Sequence, residues 1–262
     1  MARADIEESK LAPLRIAGDQ NLVAAFQRLI PHYGSPIGQW RTFGGATAIV
    51  SGMPAAFYNP ILAFDPAVAA PDVRAATAWS GEQGVMPSVQ VQERLDGRIR
   101  GALVALGFRP AEWVTPAMAL RLAEVERPPA PLELEVRTVD SAGLEDWHSV
   151  FGSGPHFRRA FGATMVADPD VRLITGYVED RPVTCAAAIG SPGTVGIYAV
   201  ATAEAARRRG YGQAITWAAI AAGAAAWGSK LAVLQSSEMG LGVYRSMGFA
   251  EVGRYVTYEK PA

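Results

Sequence analysis

The sequence predicts an α/β fold with a mixed, largely antiparallel sheet, laid out as two similar units in tandem. Three observations carry this. Strand-like and helix-like runs alternate along the 262 residues, but several neighbouring strands are joined by turns too short for a parallel crossover. Two short helices end alike, LVALGF at Phe108 and YRSMGF at Phe249, and a closing strand follows each. Between them ERPPAPL, from Glu126 to Leu132, sets prolines at 128, 129 and 131. So many prolines favour a stiff extended connector and remove backbone donors. The expected organisation is therefore one domain over 1–127, a linker over 128–132 and a second domain over 133–262.

Taken in order, the first nineteen residues read as polar and irregular. Asn21 to Ile30 carries Leu22, Val23, Phe26, Leu29 and Ile30 at helical spacing, with Asn21 as N-cap. Gly45 to Ser51 and Ala56 to Phe64 read as strands, and Pro60 places the second at an edge or a bulge. Asp72 to Trp79 is helical in pattern, Ser88 to Gln92 alternates as a strand, and Arg94 to Leu106 is helical up to Gly107. Trp113 to Leu120 is a strand. In the second half the strands are Leu134 to Val139, Val171 to Val178, Pro182 to Ile189, the run through Ile197, Tyr198 and Val200, Leu231 to Gln235, and Arg254 to Glu259. Helical patterns fall at Leu144 to Phe151, Phe157 to Met165, the alanine-rich segment to Trp227, and Gly240 to Met247.

Composition narrows the function classes. Half the residues are apolar and 19% are charged, enough to bury substantial cores. A net charge of −1 supplies no basic surface for nucleic acid, so no nucleic-acid partner is expected. The single cysteine, Cys185, forms no internal disulfide framework and suits a reducing compartment; its run TCAAAIG reads as a buried strand. No apolar leader follows MARADIEESK and no run is long enough to span a membrane. The expectation is a cytoplasmic protein without membrane or metal, its oligomeric state open and a monomer plausible.

The most informative stretch is VGIYAVATAEAARRRGYGQ, from Val195 to Gln213. A strand, a glycine-bearing turn and a helix start follow one another. That order presents unpaired backbone N–H groups and the positive end of a helix dipole to an anion. Gly210 and Gly212 let backbone approach a phosphate, and Arg207, Arg208 and Arg209 attract one. Neither the P-loop nor the dinucleotide fingerprint is present. The pattern is R-x-x-G-x-G, followed at the right distance by LQSS (Leu234 to Ser237) and by G-x-x-x-Y-x-x-x-G-F with Gly240, Tyr244, Gly248 and Phe249.

These motifs resemble those of the GNAT acyltransferase superfamily, whose loop binds the pyrophosphate of acetyl-CoA. The resemblance covers the second half as a complete domain. The first half is similar to a degenerate GNAT-like domain, as in tandem members: Leu103 stands where Tyr244 stands in the repeat, and AVAAPDVRAATAW lacks glycine. By resemblance, the backbone of Tyr198, Ala199 and Val200 holds the pantetheine arm and the thioester carbonyl. The loop Arg207, Arg208, Arg209, Gly210, Tyr211 and Gly212 cradles the pyrophosphate. Tyr244 is the acid that protonates the departing thiolate, and Ser237 lines the cofactor channel where an asparagine is common.

The family's usual glutamate base has no counterpart among Thr194 to Ile197 or at Ala232; His148, His156, Glu179 and Glu238 are the conceivable substitutes. The resemblance implies an acetyl-CoA-dependent N-acetyltransferase acting on the primary amine of a small molecule. A protein N-acetyltransferase and a non-catalytic acyl-CoA-binding sensor are the alternatives. The acceptor is expected beside the stretch Ser153 to Phe161, with His156 and Phe157, and Tyr33 and Trp40 as candidates from the first half.

Overall fold

In the computed structural model, residues 3–152 and 154–261 are described; Ser153, at the start of the expected acceptor stretch, lies outside them. The chain forms two compact units. The larger comprises residues 1–25 and 118–252, the smaller 26–117 and 253–262. The division expected at the proline-rich stretch follows the chain in order, whereas the compact units do not. The reason lies in the closing strands, described with each unit below.

The smaller unit holds β1 (Gln39–Phe43), β2 (Ala46–Val50), β3 (Pro60–Ala63), α2 (Ala70–Glu82), β4 (Ser88–Gln92) and α3 (Glu93–Ala105). Its strands run in the order β1-β2-β3-β4, and the last place is taken by the end of β11 (Ala250–Glu259), paired antiparallel to β4 with Tyr255 opposite Gln92. Only β3 and β4 are parallel, joined through α2. Ile61, Val89, Val91, Leu95, Ile99, Phe108 and Tyr258 make one core there. The Tyr258 hydroxyl donates to Asp96 Oδ1 at 2.5 Å, which satisfies a buried carboxylate. Two expectations change here. Ala56 to Tyr58 is a 3₁₀ turn, and β3 is an inner strand of four buried residues. Pro60 is tolerated because it is the first residue of the strand, where no inner ladder donor is lost.

The larger unit opens with most of α1 (Arg3–Leu29) and continues from the end of β5 (Arg109–Arg121). It then holds β6 (Glu135–Thr138), α4 (Leu144–Phe151), α5 (Pro155–Ala160), α6 (Ala163–Val166), β7 (Val171–Val178), β8 (Arg181–Ser191), β9 (Thr194–Thr202), α7 (Tyr211–Trp227), β10 (Leu231–Gln235) and α8 (Glu238–Ser246). Strand order is β5-β10-β9-β8-β7-β6. The β9–β10 pair is parallel, and β6 to β9 are antiparallel neighbours. Glu179 and Asp180 both have positive φ, +48° and +58°, the two-residue turn that suits the twist of the β7–β8 hairpin. The expected helix from Phe157 to Met165 is two short pieces, broken at Gly162.

α7 packs on one face of β7, β8 and β9, and α4 packs on β8 and β9 from the other. Val195 and Ile197 of β9 join the α7 core with Ile215, Ala219 and Leu234. The alternation then turns Gly196 and Tyr198 to the opposite face. There α1 is seated. The first nineteen residues are therefore not irregular: from Arg3 the chain is helix. The buried positions Arg15, Gly18, Asp19, Leu22 and Ala25 fall at helical spacing, but their stripe is made of small and polar side chains that an apolar search misses. Gly18 lies against Val233, and the buried Arg15 donates to the Val252 carbonyl at 3.2 Å and pairs with Glu8.

Asn21 is the tightest of these contacts. Its amide donates to the Ile189 carbonyl at 3.2 Å and to Ser191 Oγ at 2.8 Å, while its Oδ1 accepts from the Tyr198 hydroxyl at 2.6 Å. A Cβ on Gly196 would overlap Asn21 Oδ1 and meet the Tyr198 ring at 2.5 Å. Gly196→Ala must therefore displace α1 or break the three hydrogen bonds of Asn21. It should lower stability by about 1–3 kcal/mol, the usual cost of overpacking. A urea midpoint equal to that of the wild type would show that α1 is not held there.

Candidate functional site

The site is made where two strands part. β9 pairs with β10 in parallel over Thr194 to Ile197 against Leu231 to Leu234, and no further. β9 nevertheless runs on to Thr202. Its burial changes at the same point: Thr194 to Ile197 are buried, and Tyr198 to Thr202 are half exposed. On its other edge β9 still pairs with β8, Ala187 opposite Tyr198 and Cys185 opposite Ala201. One residue of β8, Ala186, thus faces two of β9, Ala199 and Val200, a β-bulge. Ala199 takes φ +50°, a left-handed conformation that alanine adopts at a cost of roughly 1 kcal/mol or more. The expected acyl-binding backbone is therefore a bulged strand with one edge released from the sheet.

Beyond Thr202 the chain turns through a 3₁₀ turn at Glu204–Ala206 into the arginine-glycine loop. Arg208 and Gly210 are both left-handed, with φ +62° and +79°. The first bond of α7 runs from Ala214 N–H to the Gly210 carbonyl, 3.0 Å, so the N–H groups of Tyr211, Gly212 and Gln213 precede the helical ladder. α7 carries no acidic residue in its first turn. Free donors and the positive end of a seventeen-residue helix together make an anion site. A Cβ on Gly212 would reach Thr202 Oγ1 at 3.4 Å, so this glycine borders the released strand.

The three arginines and Tyr211 are not equivalent. Arg207 folds back, its Nε donating to the Thr202 carbonyl at 3.3 Å. Arg208 and Arg209 are exposed. The Tyr211 side chain is buried with Leu134, Ala206 and Ala214, and its hydroxyl donates to Glu133 Oε1 at 2.9 Å. Only the backbone of Tyr211 remains for an anion.

Tyr244 stands on α8, half buried against the larger unit's core and in edge contact with Phe249, ring centroids 5.8 Å apart. Burial raises its pKa, and a hydrogen bond with the Thr216 hydroxyl side chain works against that shift. Thr216 lies on α7 and donates to the Gly212 carbonyl at 2.8 Å. Tyr244, Thr216 and Gly212 are thus linked, which connects the proposed acid to the loop. Ser237 is the N-cap of α8: its Oγ accepts from Gly240 N–H at 3.2 Å. Its side chain serves the helix start.

Of the base candidates, His148 is buried on α4 with Nε2 3.0 Å from the Phe161 carbonyl. Burial, then the charge of Arg158, lowers its pKa, which keeps it neutral at ordinary pH. Glu179 sits in the exposed hairpin turn and Glu238 in the exposed first turn of α8. Phe157 stacks on Phe161 at 5.8 Å and 6°. Tyr33 is a buried ring against Tyr58 in the smaller unit, and Trp40 is exposed. Cys185 is buried, its thiol pushed up to about 12 by burial, and is inert as a nucleophile. Tyr198, missed as a side-chain element by sequence reasoning, is tied to Asn21; burial raises its pKa strongly.

The smaller unit offers no second site of this kind. All four residues of β3 pair with β4, so no strand edge is released. The N-terminus of α2 is filled by its own Asp72, whose carboxylate accepts from Ala69 N–H at 3.0 Å and Gly45 N–H at 3.1 Å. A carboxylate already sits where a phosphate would bind. Both units nevertheless share one helix ending. Phe108 N–H bonds to the Leu103 carbonyl and Phe249 N–H to the Tyr244 carbonyl, each at 3.0 Å, with Gly107 at φ +89° and Gly248 at φ +92°.

Among the described residues, no group of three or more metal-ligating side chains is present, and no helix is long and apolar enough to cross a membrane. No curated relative matches the sequence significantly. Solved structures do match in fold. A GCN5-related N-acetyltransferase from Kribbella flavida superposes with a TM-score of 0.68 at 18% identity, over 86% of this chain and 90% of that one. A tandem GNAT protein from the clavulanic acid biosynthesis pathway gives 0.59 at 11% identity, over 83% and 78%. A GCN5-related N-acetyltransferase from Sphaerobacter thermophilus gives 0.57 at 18% identity, over 82% and 76%. Residues 139–249 match the acetyltransferase (GNAT) family profile, a span that runs from the end of β6 through Phe249. Residues 139–249 thus match the GNAT acetyltransferase family, and the chain shares the fold of GCN5-related N-acetyltransferases.

Proposed function

We propose that this protein is an acetyl-CoA-dependent N-acetyltransferase that acylates the primary amine of a small molecule. One observation carries the reading: the β9–β10 pairing stops at Ile197, and the released, bulged strand leads directly to a helix N-terminus with free donors. The residues present fit the cofactor. Backbone N–H groups of Tyr211, Gly212 and Gln213, with Arg208 and Arg209 nearby, would hold the pyrophosphate. The unpaired edge of Tyr198, Ala199 and Val200 would hold the pantetheine amides. Acetyl-CoA supplies an activated thioester.

Within that frame the chain's residues have separate tasks. The bulge frees backbone at Ala199 and Val200 from the ladder, and fixed donors beside a carbonyl stabilise negative charge developing on its oxygen. Tyr244 would hold a proton at Oη for the departing sulfur as the amine nitrogen bonds to the acyl carbon and the C–S bond breaks, and the proton lost from that nitrogen, passed to water, would restore the phenol. With its pKa raised above the ordinary value of about 10, Tyr244 stays protonated through the neutral range. A binding-only reading draws on a different observation: Gly196 leaves no carboxylate on β9, and Asn21 occupies the space beside it.

Gly212→Glu would set a carboxylate against the pyrophosphate, and should weaken acetyl-CoA binding by at least about a hundredfold. Gly212→Ala, whose Cβ meets only an ordinary contact, is the folding control; a Gly212→Glu affinity equal to that of the wild type by calorimetry would remove the cradle assignment.

Binding should saturate at one acetyl-CoA per chain, because Asp72 fills the corresponding helix end of the smaller unit. A stoichiometry of two would contradict this.

Tyr244→Phe should lower kcat by about a hundredfold with little change in cofactor affinity. In the wild type no alkaline loss of kcat should appear below about pH 10 on account of this residue. Full turnover by the variant, with released thiol as the readout, would return Tyr244 to packing; absence of turnover in both proteins with every amine tried would favour the binding-only reading.

A further inference from the structure

The proline-rich stretch is seated on the loop. A Cβ on Gly210 would lie 3.9 Å from Pro131 Cγ. The Tyr211 hydroxyl holds Glu133, and Ala130 and Leu134 pack into the same small cluster as Tyr211 and Ala214. Between this stretch and α7 is a cavity of about 240 Å³, walled by Arg127, the residues from Pro128 to Pro131, and the α7 face of Gly210, Gln213, Ala214 and Trp217. That face is a helical stripe distinct from the one that carries Gly212 and Thr216. Trp217 is 6% exposed, and its indole Nε1 is buried without a hydrogen-bond partner.

We infer that this cavity receives the adenosine 3′-phosphate end of the acyl-CoA, which makes the proline-rich stretch a cofactor-binding element. The inference rests on the acetyl-CoA reading above. Gly210 belongs both to the loop and to the cavity wall, so a ligand whose pyrophosphate rests on the loop enters the cavity without crossing solvent. The volume is below the ~300–1,000 Å³ that encloses a whole drug-sized ligand, so it takes one end of a long molecule. Its walls suit a purine: proline rings and the indole are flat and apolar. Arg127, exposed at this wall, is the cation for the ribose phosphate. Prolines also lose little conformational freedom when a ligand contacts them, so the wall is built before binding.

Calorimetry on the full chain with acetyl-CoA, 3′-dephospho-acetyl-CoA and acetyl-phosphopantetheine tests this. Arg127→Glu should weaken acetyl-CoA by about tenfold or more, one charge-assisted contact, and 3′-dephospho-acetyl-CoA by less than about threefold. Ala130→Trp, which fills the cavity from a half-exposed position outside the phosphate loop, should weaken both nucleotides and leave acetyl-phosphopantetheine at the wild-type affinity. If the wild type binds acetyl-CoA and neither variant discriminates among the three probes, the cavity assignment falls and the function stands. If the wild type binds none of them, both fall.

Discussion

The site depends on where one parallel strand pair ends. Four residues of β9 are held by β10, and the five that follow are released on that edge while β8 continues to hold the other. A strand with unpaired donors and acceptors is ordinarily a liability at a sheet edge. Inside a domain it is a binding surface with fixed spacing. The bulge at Ala199 and the helix start after Gly210 are both consequences of the path that β9 takes after leaving its partner. The smaller unit supports the point by contrast: its parallel pair remains joined throughout, and its helix end is closed by Asp72.

The shape of the loop was legible because a tight turn into a helix start needs particular residue types. Glycine at 210 adopts a left-handed conformation, and the R-x-x-G-x-G spacing follows from that. The helix ending that follows Tyr244 was legible through its G-F pair, which the backbone bonds from Phe108 and Phe249 reproduce in both units. Other features left no such trace. Ala199 sits where glycine would have marked the bulge, and Arg208 likewise takes a positive φ without being glycine. The seat of α1 is built of Gly18, Asn21, Asp19 and Arg15, whose burial no apolar periodicity announces. Ser237 and Tyr211 matched site positions in sequence, yet one side chain caps a helix and the other is engaged by Glu133.

The same contrast separates stretches that look alike on paper. ERPPAPL has the composition of a spacer, and its backbone is indeed irregular from Val125 to Pro131. Its residues are nevertheless placed by Tyr211 and Gly210 at the mouth of α7. Stiffness serves a wall as well as it serves a spacer, and composition alone does not distinguish the two.

The closing strands have a consequence for how the protein is made. The smaller unit, formed mostly of residues 26–117, is completed by Tyr255 to Tyr258 against β4, and in the larger unit Gly18 and Asn21 of α1 meet β10 and β9. Synthesis proceeds from the N-terminus at roughly 5–20 residues per second, and domains normally fold as they emerge. Here α1 waits for Gly196 and Tyr198, and β4 waits longer still for Tyr255. Each of these elements is therefore completed by a partner made well after it: Gly196 and Tyr198 for α1, and Tyr255 to Tyr258 for β4.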